Sequence, residues 1–157
     1  MFVVRQPLVL EKTGAERCAG RIPRRRRDLV VTPGAPLVLL VDDDPAVRSS
    51  LKFALELDGF AVELFCDGEA LSRRETLPAH ACLLIDHRLP GIDGLSLLTL
   101  LRARGSALPA IIITSNPTQH VRERAAAAGA LLIEKPLFGD ALADVLRAVL
   151  QHPRGEQ

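Results

Sequence analysis

Residues 81–95 read ACLLIDHRLPGIDGL, an apolar run that ends on a carboxylate, Asp86, and then breaks into a turn rich in Pro and Gly. A short continuous apolar run bounded by turn residues marks a strand buried on both faces, as in parallel sheets covered by helices. The acid at its tip is either a turn former or the centre of a site. The stretch alone does not decide, so the flanking chain has to.

Working outward, the same unit recurs. PLVLLVDD (36–43) is another buried strand, and DPAVRSSLKFALELDG (44–59) reads as a helix with Asp44 as N-cap, Pro45 at its first position and Gly59 as its stop. FAVELF (60–65) is a strand and DGEALSRRE (67–75) a short helix; GLSLLTLLRARG (94–105) is the helix after the opening strand. PAIIIT (109–114) and ALLIEK (130–135) are two further strands, separated by an alanine-rich helix over 117–129 and followed by a closing helix over 138–151. Five strand–helix repeats imply an α/β fold: a five-stranded parallel, doubly wound sheet with right-handed crossovers and helices on both faces.

Ligands in such sheets bind beyond the carboxyl ends of the strands, where strand order reverses. At those ends stand Asp42, Asp43 and Asp44, then Asp86, then Thr114 and Ser115, then Glu134 and Lys135. Crowded carboxylates repel one another unless a cation intervenes, and a few acidic oxygens with room for water suit Mg²⁺. A lysine and a hydroxyl facing them suit the remaining oxygens of a phosphoryl group. Asp86, the most central acid, is placed to be a nucleophile or a metal ligand.

Composition narrows the alternatives. The chain has 157 residues, 48% of them hydrophobic, with five Phe and no Trp or Tyr, so its core is aliphatic. No run approaches the roughly 20 apolar residues of a membrane span. Cys18, Cys66 and Cys82 show no CxxC or CxxH spacing, which argues against a disulfide framework or a zinc site and for a reducing cytosol. Residues 1–36 carry a net charge of +5 and residues 37–157 one of −4. The first segment, with RIPRRRRDL and candidate short strands at 2–10 and 28–31, reads as a flexible basic arm. A solvated tail is the better reading of its arginines than a surface for DNA or anionic lipid, and it lacks the apolar core of a secretory signal.

LLVDDDPAVRSSL (39–51), LLIDHRLPGIDGL (83–95), IIITSNP (111–117) and AAAAGALLIEKPL (125–137) resemble, in order, the four signature segments of response-regulator receiver domains, those of the FixJ type above all. The resemblance covers residues 37–151 and leaves 152–157 as a tail. It implies the flavodoxin-like strand order 2-1-3-4-5 and a cytoplasmic protein of a two-component phosphorelay. Asp86 is then the phosphoacceptor. Asp43 ligates Mg²⁺ directly, Asp42 holds it mostly through water, and the Arg88 backbone carbonyl is a further ligand beside Asp86. Thr114 bonds the phosphoryl group and reports its presence, Lys135 pairs with it, and the Lys135–Pro136 peptide is cis. The resemblance makes the chain no enzyme beyond promoting its own phosphorylation and dephosphorylation. Its partners are a histidine kinase or histidine phosphotransfer protein, an unidentified downstream protein and, compatibly, a second copy. Arg88 and Asn116 flank the path of attacking water and set the lifetime of the phosphorylated state.

The pattern departs from the family in two places. Where many receivers carry Tyr or Phe, three residues before the lysine, this chain has Leu132, and the segment from Gly129 to Lys135 is one residue short. The readout is therefore expected to be either a smaller rotamer change or a shift mainly of the loop 115–119 and the helix after it. The remaining HPRGEQ (152–157) holds no output domain, so the sequence reads as a single-domain regulator. A pseudo-receiver that binds without being phosphorylated is the alternative. An Asp-dependent phosphohydrolase fits less well, because its second Asp would stand where Arg88 is.

Overall fold

The computed structural model describes residues 34–137 and 141–151. The chain divides into two units, Met1–Val30 and Val31–Gln157, and the described residues belong to the second. The basic arm with its candidate strands, and the tail 152–157, lie outside the described residues.

The elements alternate as the sequence implies: β1 (Leu37–Val41), α1 (Pro45–Leu57), β2 (Ala61–Phe65), α2 (Gly68–Ser72), β3 (Ala81–Asp86), α3 (Gly94–Ala103), β4 (Ala110–Thr114), α4 (Gln119–Ala127), β5 (Ala130–Glu134) and α5 (Ala141–Gln151). All strand pairs are parallel, in the order β2-β1-β3-β4-β5. Strand order therefore reverses between β1 and β3.

Alternation along the strands divides the core into two layers. Leu39 and Val41 of β1, Leu83 and Ile85 of β3 and Ile112 of β4 pack with Leu97, Leu98 and Leu101 of α3 and with Val121 and Ala125 of α4. Val38, Leu40, Cys82, Leu84, Ile111 and Ile113 face the other way, onto Leu55 of α1 and Leu142 and Leu146 of α5. A central strand thus buries both faces, which is why β1, β3 and β4 read as unbroken apolar runs.

Local chemistry sets the helix starts. Asp44 Oδ1 accepts from the backbone N–H of Ala46 (2.8 Å) and Val47 (3.3 Å), with Pro45 at the first helical position, as the sequence implies. α4 begins at Gln119 rather than at Pro117, because Thr118 is extended and its hydroxyl accepts from Val121 N–H at 3.3 Å. α2 stops at Ser72 rather than continuing to residue 75. The Arg104 guanidinium takes the carbonyls of Ser72 (2.5 Å), Arg74 (2.5 Å) and Glu75 (3.4 Å) and ties the non-helical chain after α2 to the end of α3. Residues 138–140 lie outside the described residues, so the start of the closing helix is seen only from Ala141. Cys82 is a buried free thiol.

Candidate functional site

Sheet register builds the site. Val41 of β1 pairs with Ile85 of β3, so one more residue along each strand brings Asp42 beside Asp86. Asp86 pairs with Ile113 of β4, and Thr114 with Glu134 of β5, so Thr114 and Lys135 follow one step further on. Asp42 is 1% exposed, Asp86 7% and Thr114 2%, and they are the buried polar side chains among the described residues. Their burial in an aliphatic protein calls for partners.

For the two carboxylates those partners are present. Lys135 Nζ lies 3.5 Å from Asp42 Oδ2 and 3.5 Å from Asp86 Oδ1. Asp42 Oδ1 accepts from the backbone N–H of Asp44 at 2.8 Å. Burial pushes the Asp86 carboxyl above its ordinary value; Lys135 pulls it back, the Asp42 charge pushes it up again, and a hydrogen bond from the Arg88 backbone N–H lowers it. The net shift is upward. One ammonium group does not fully offset two adjacent carboxylates out of water.

Asp42, Asp43 and Asp86 each offer an oxygen, all within 4.8 Å of one another. Hard carboxylate oxygens that converge on an open edge, one of them exposed Asp43, fit a small divalent cation that keeps several waters. The charge crowding at Asp86 is the physical reason such an ion fits here. Arg88 meets the site through its main chain: the group seen in contact is its N–H, on Asp86.

The turn after Asp86 is shaped by glycine. Gly91 has φ +76°, in the left-handed region. A Cβ on Gly94 would run into the Asp86 carbonyl, so only glycine lets α3 start this close to β3. Gly94 N–H donates to the His87 carbonyl at 3.0 Å and closes the loop. The Lys135–Pro136 peptide is cis, as the resemblance implies.

A family model, the response regulator receiver domain, matches residues 38–147. The chain belongs to the response-regulator receiver family. Among curated relatives of this receiver, FixJ of Bradyrhizobium diazoefficiens is 34% identical over 117 residues, covering 73% of this chain and 56% of FixJ. The C4-dicarboxylate transport regulator DctD of Pseudomonas aeruginosa is 35% identical over 77% of this chain and 28% of its own length. This chain therefore spans about half, or less, of the relatives it matches. Full-length FixJ from B. japonicum superposes with a TM-score of 0.69 at 33% identity, covering 76% of this chain and 59% of that one. A CheY-like receiver domain protein from Methanospirillum hungatei gives 0.69 at 27% identity, covering 76% and 96%. Receivers typically bind Mg²⁺ and act with histidine kinases in two-component signalling.

The structure brings Asp42, Asp43, Asp86 and Lys135 together, with Thr114 at the tip of the next strand. His120 is exposed on α4, away from any such role, and His87 follows Asp86 in the loop. Arg48 was not singled out from the sequence: its Nη1 donates to the Asp42 carbonyl at 2.6 Å from the first turn of α1. The signal available was its place four residues after the Asp44 cap. Ser96 and Arg124, which the site's flank also uses, gave none.

Proposed function

We propose that this receiver accepts a phosphoryl group on Asp86 from a histidine kinase or histidine phosphotransfer protein and signals by binding another protein. The observation that carries the reading is the buried Asp86 carboxylate, with the Asp42 carboxylate beside it and Lys135 Nζ 3.5 Å from both. An Asp86 oxygen attacks the phosphorus of a phosphohistidine or a small donor. The bond from phosphorus to the leaving nitrogen or oxygen breaks, and an aspartyl phosphate forms. Lys135 neutralises charge on the phosphoryl oxygens, and the Thr114 hydroxyl donates to one of them. Asp42, Asp43, Asp86 and the Arg88 carbonyl would hold Mg²⁺, which supplies charge neutralisation at the transferring group. Arg48 and the Asp44 N–H fix Asp42, so the metal-facing acids are set before any ligand arrives.

The domain limits in this proposal are an arm over 1–36, the receiver over 37–151 and a tail over 152–157. The proposed compartment is the cytoplasm, where histidine kinases present their phosphodonors.

Incubation with Mg²⁺ and acetyl phosphate, read by intact mass, tests the proposal. One phosphoryl adduct is expected on the wild-type chain and none on Asp86→Ala. Adduct on neither chain, with a cognate kinase also tried, supports the pseudo-receiver instead.

A further inference from the structure

α4 buries little of its surface. Of its nine residues only Val121 and Ala125 are buried, and both are small. Its polar ties are correspondingly important. Arg122 reaches Glu134 of β5 at 3.9 Å, with both side chains more than half exposed. Arg124 makes a better-ordered contact: its Nη2 donates to Ser96 Oγ at 3.1 Å and lies 3.7 Å from Asp93 Oδ1.

The group that Arg124 holds is the N-cap of α3. Asp93 Oδ1 accepts from Leu95 and Ser96 N–H, each at 3.0 Å, and Oδ2 accepts from Ser96 Oγ at 2.7 Å. On its other side stands His87, whose Nδ1 has no hydrogen-bond partner and lies 3.9 Å from Asp93 Oδ1. His87 follows Asp86 directly, and its carbonyl holds Gly94 N–H. Thr114, at the opposite side of the site, is only four residues from Thr118, the N-cap of α4. Two routes from the site therefore meet at α4. One runs through β4 and its loop, and the other through His87, Asp93 and Arg124.

We propose that Arg124 latches α4 to the capped start of α3, and that Asp93, Ser96 and Arg124 are positioning residues setting how readily α4 leaves its resting place when Asp86 is loaded. The coupling to loading rests on the reading of Asp86 given above; the latch itself does not. Because the pair is about one-third exposed, its effect is modest in scale. A change of about two- to fivefold is the size that one such contact supports.

The test compares the full chain with Arg124→Ala, Arg124→Lys, Ser96→Ala and Asp93→Asn. Asn keeps the helix cap while removing the charge. The first readout is amide hydrogen exchange over 119–127 without Mg²⁺ or phosphodonor. Exchange about two- to fivefold faster in Arg124→Ala, with partial recovery in Arg124→Lys and no change in α1, is expected. Unchanged exchange in both Arg124→Ala and Ser96→Ala overturns the latch. The second readout is the beryllofluoride midpoint at fixed Mg²⁺, which loss of the latch in Arg124→Ala should lower by a similar factor. Faster exchange with an unchanged midpoint overturns the coupling. Failure of the wild-type chain to bind beryllofluoride overturns the reading of Asp86, and the exchange readout then decides the latch by itself.

Discussion

The tips of β1 and β3 and the region of β5 and α4 are built on opposite plans. At the first, Asp42 and Asp86 are almost fully buried on strands sealed on both faces, with backbone N–H groups and a lysine fixing their oxygens. At the second, Ala130 is the only residue of β5 that is fully buried, Leu131 to Ile133 are half-buried, and Glu134 is exposed. α4 adds two small buried residues. A group that does chemistry must be held before its substrate arrives, which demands a rigid setting. A segment that reports must be cheap to move, and few buried contacts make it so. On the proposed function, loading would fall at the well-buried strand tips and readout at the more thinly buried β5 and α4.

The largest expected effect breaks the loading end. Lys135→Ala leaves Asp42 and Asp86 without their ammonium partner, and phosphorylation by acetyl phosphate should slow on the order of 100-fold, the scale of losing one transition-state donor. Stopped time points read by intact mass check this. Leu132→Ala, on the readout side, should leave the same rate within about twofold. Because Leu132 is only partly buried, it should cost no more than about 2 kcal/mol in urea unfolding, the low end for such truncations.

Next in size is the response to the ion. Mg²⁺ at about 100 times its dissociation constant should add about 2.7 kcal/mol of stability. Replacing Asp43 by Asn should remove most of that gain while leaving the stability without Mg²⁺ nearly unchanged, since Asp43 is exposed.

The smallest effects are pH dependences of opposite sign at the two ends. Asp86 has its folded-state pKa raised, so the folded chain keeps that proton longer than the unfolded one. Stability from this group falls as pH rises from the ordinary carboxylate value through the raised one. Asp86→Asn should therefore flatten that decline and raise the midpoint of thermal unfolding at neutral pH without Mg²⁺. Asp93 is shifted the other way: burial opposes its charge, but hydrogen bonds from Ser96, then Arg124 and His87, hold it below the usual range. Its contribution is present above the ordinary carboxylate value and is lost as pH falls through the lowered pKa. Asp93→Asn should flatten only that acid limb, in thermal melts taken from neutral pH downward.

Much of this was legible in the sequence, for reasons that differ by element. Unbroken runs such as LVLLV and ACLLID announce strands buried on both faces, and Asp44-Pro45 announces the start of α1, because each signal is local. Strand order came with the family resemblance, since periodicity does not say which strands are neighbours. The acids at the strand tips were legible because parallel strands end on one edge. The end of α2 was not, because Arg104 is about 30 residues away in sequence from the carbonyls it takes. Arg124 was missed for the same reason, whereas Arg48 lies only six residues from Asp42 and its place after the Asp44 cap was a local signal. Where a long side chain reaches is decided by packing that no local pattern carries.

The account stands or falls on where the phosphoryl group goes. Treating the phosphorylated chain with borohydride converts an aspartyl phosphate to homoserine, and peptide sequencing by mass spectrometry then reads the position. Homoserine at residue 86, and at no other aspartate, is the result predicted. A full adduct that maps to Asp42, Asp43 or a histidine, or that survives Asp86→Asn undiminished, would contradict it.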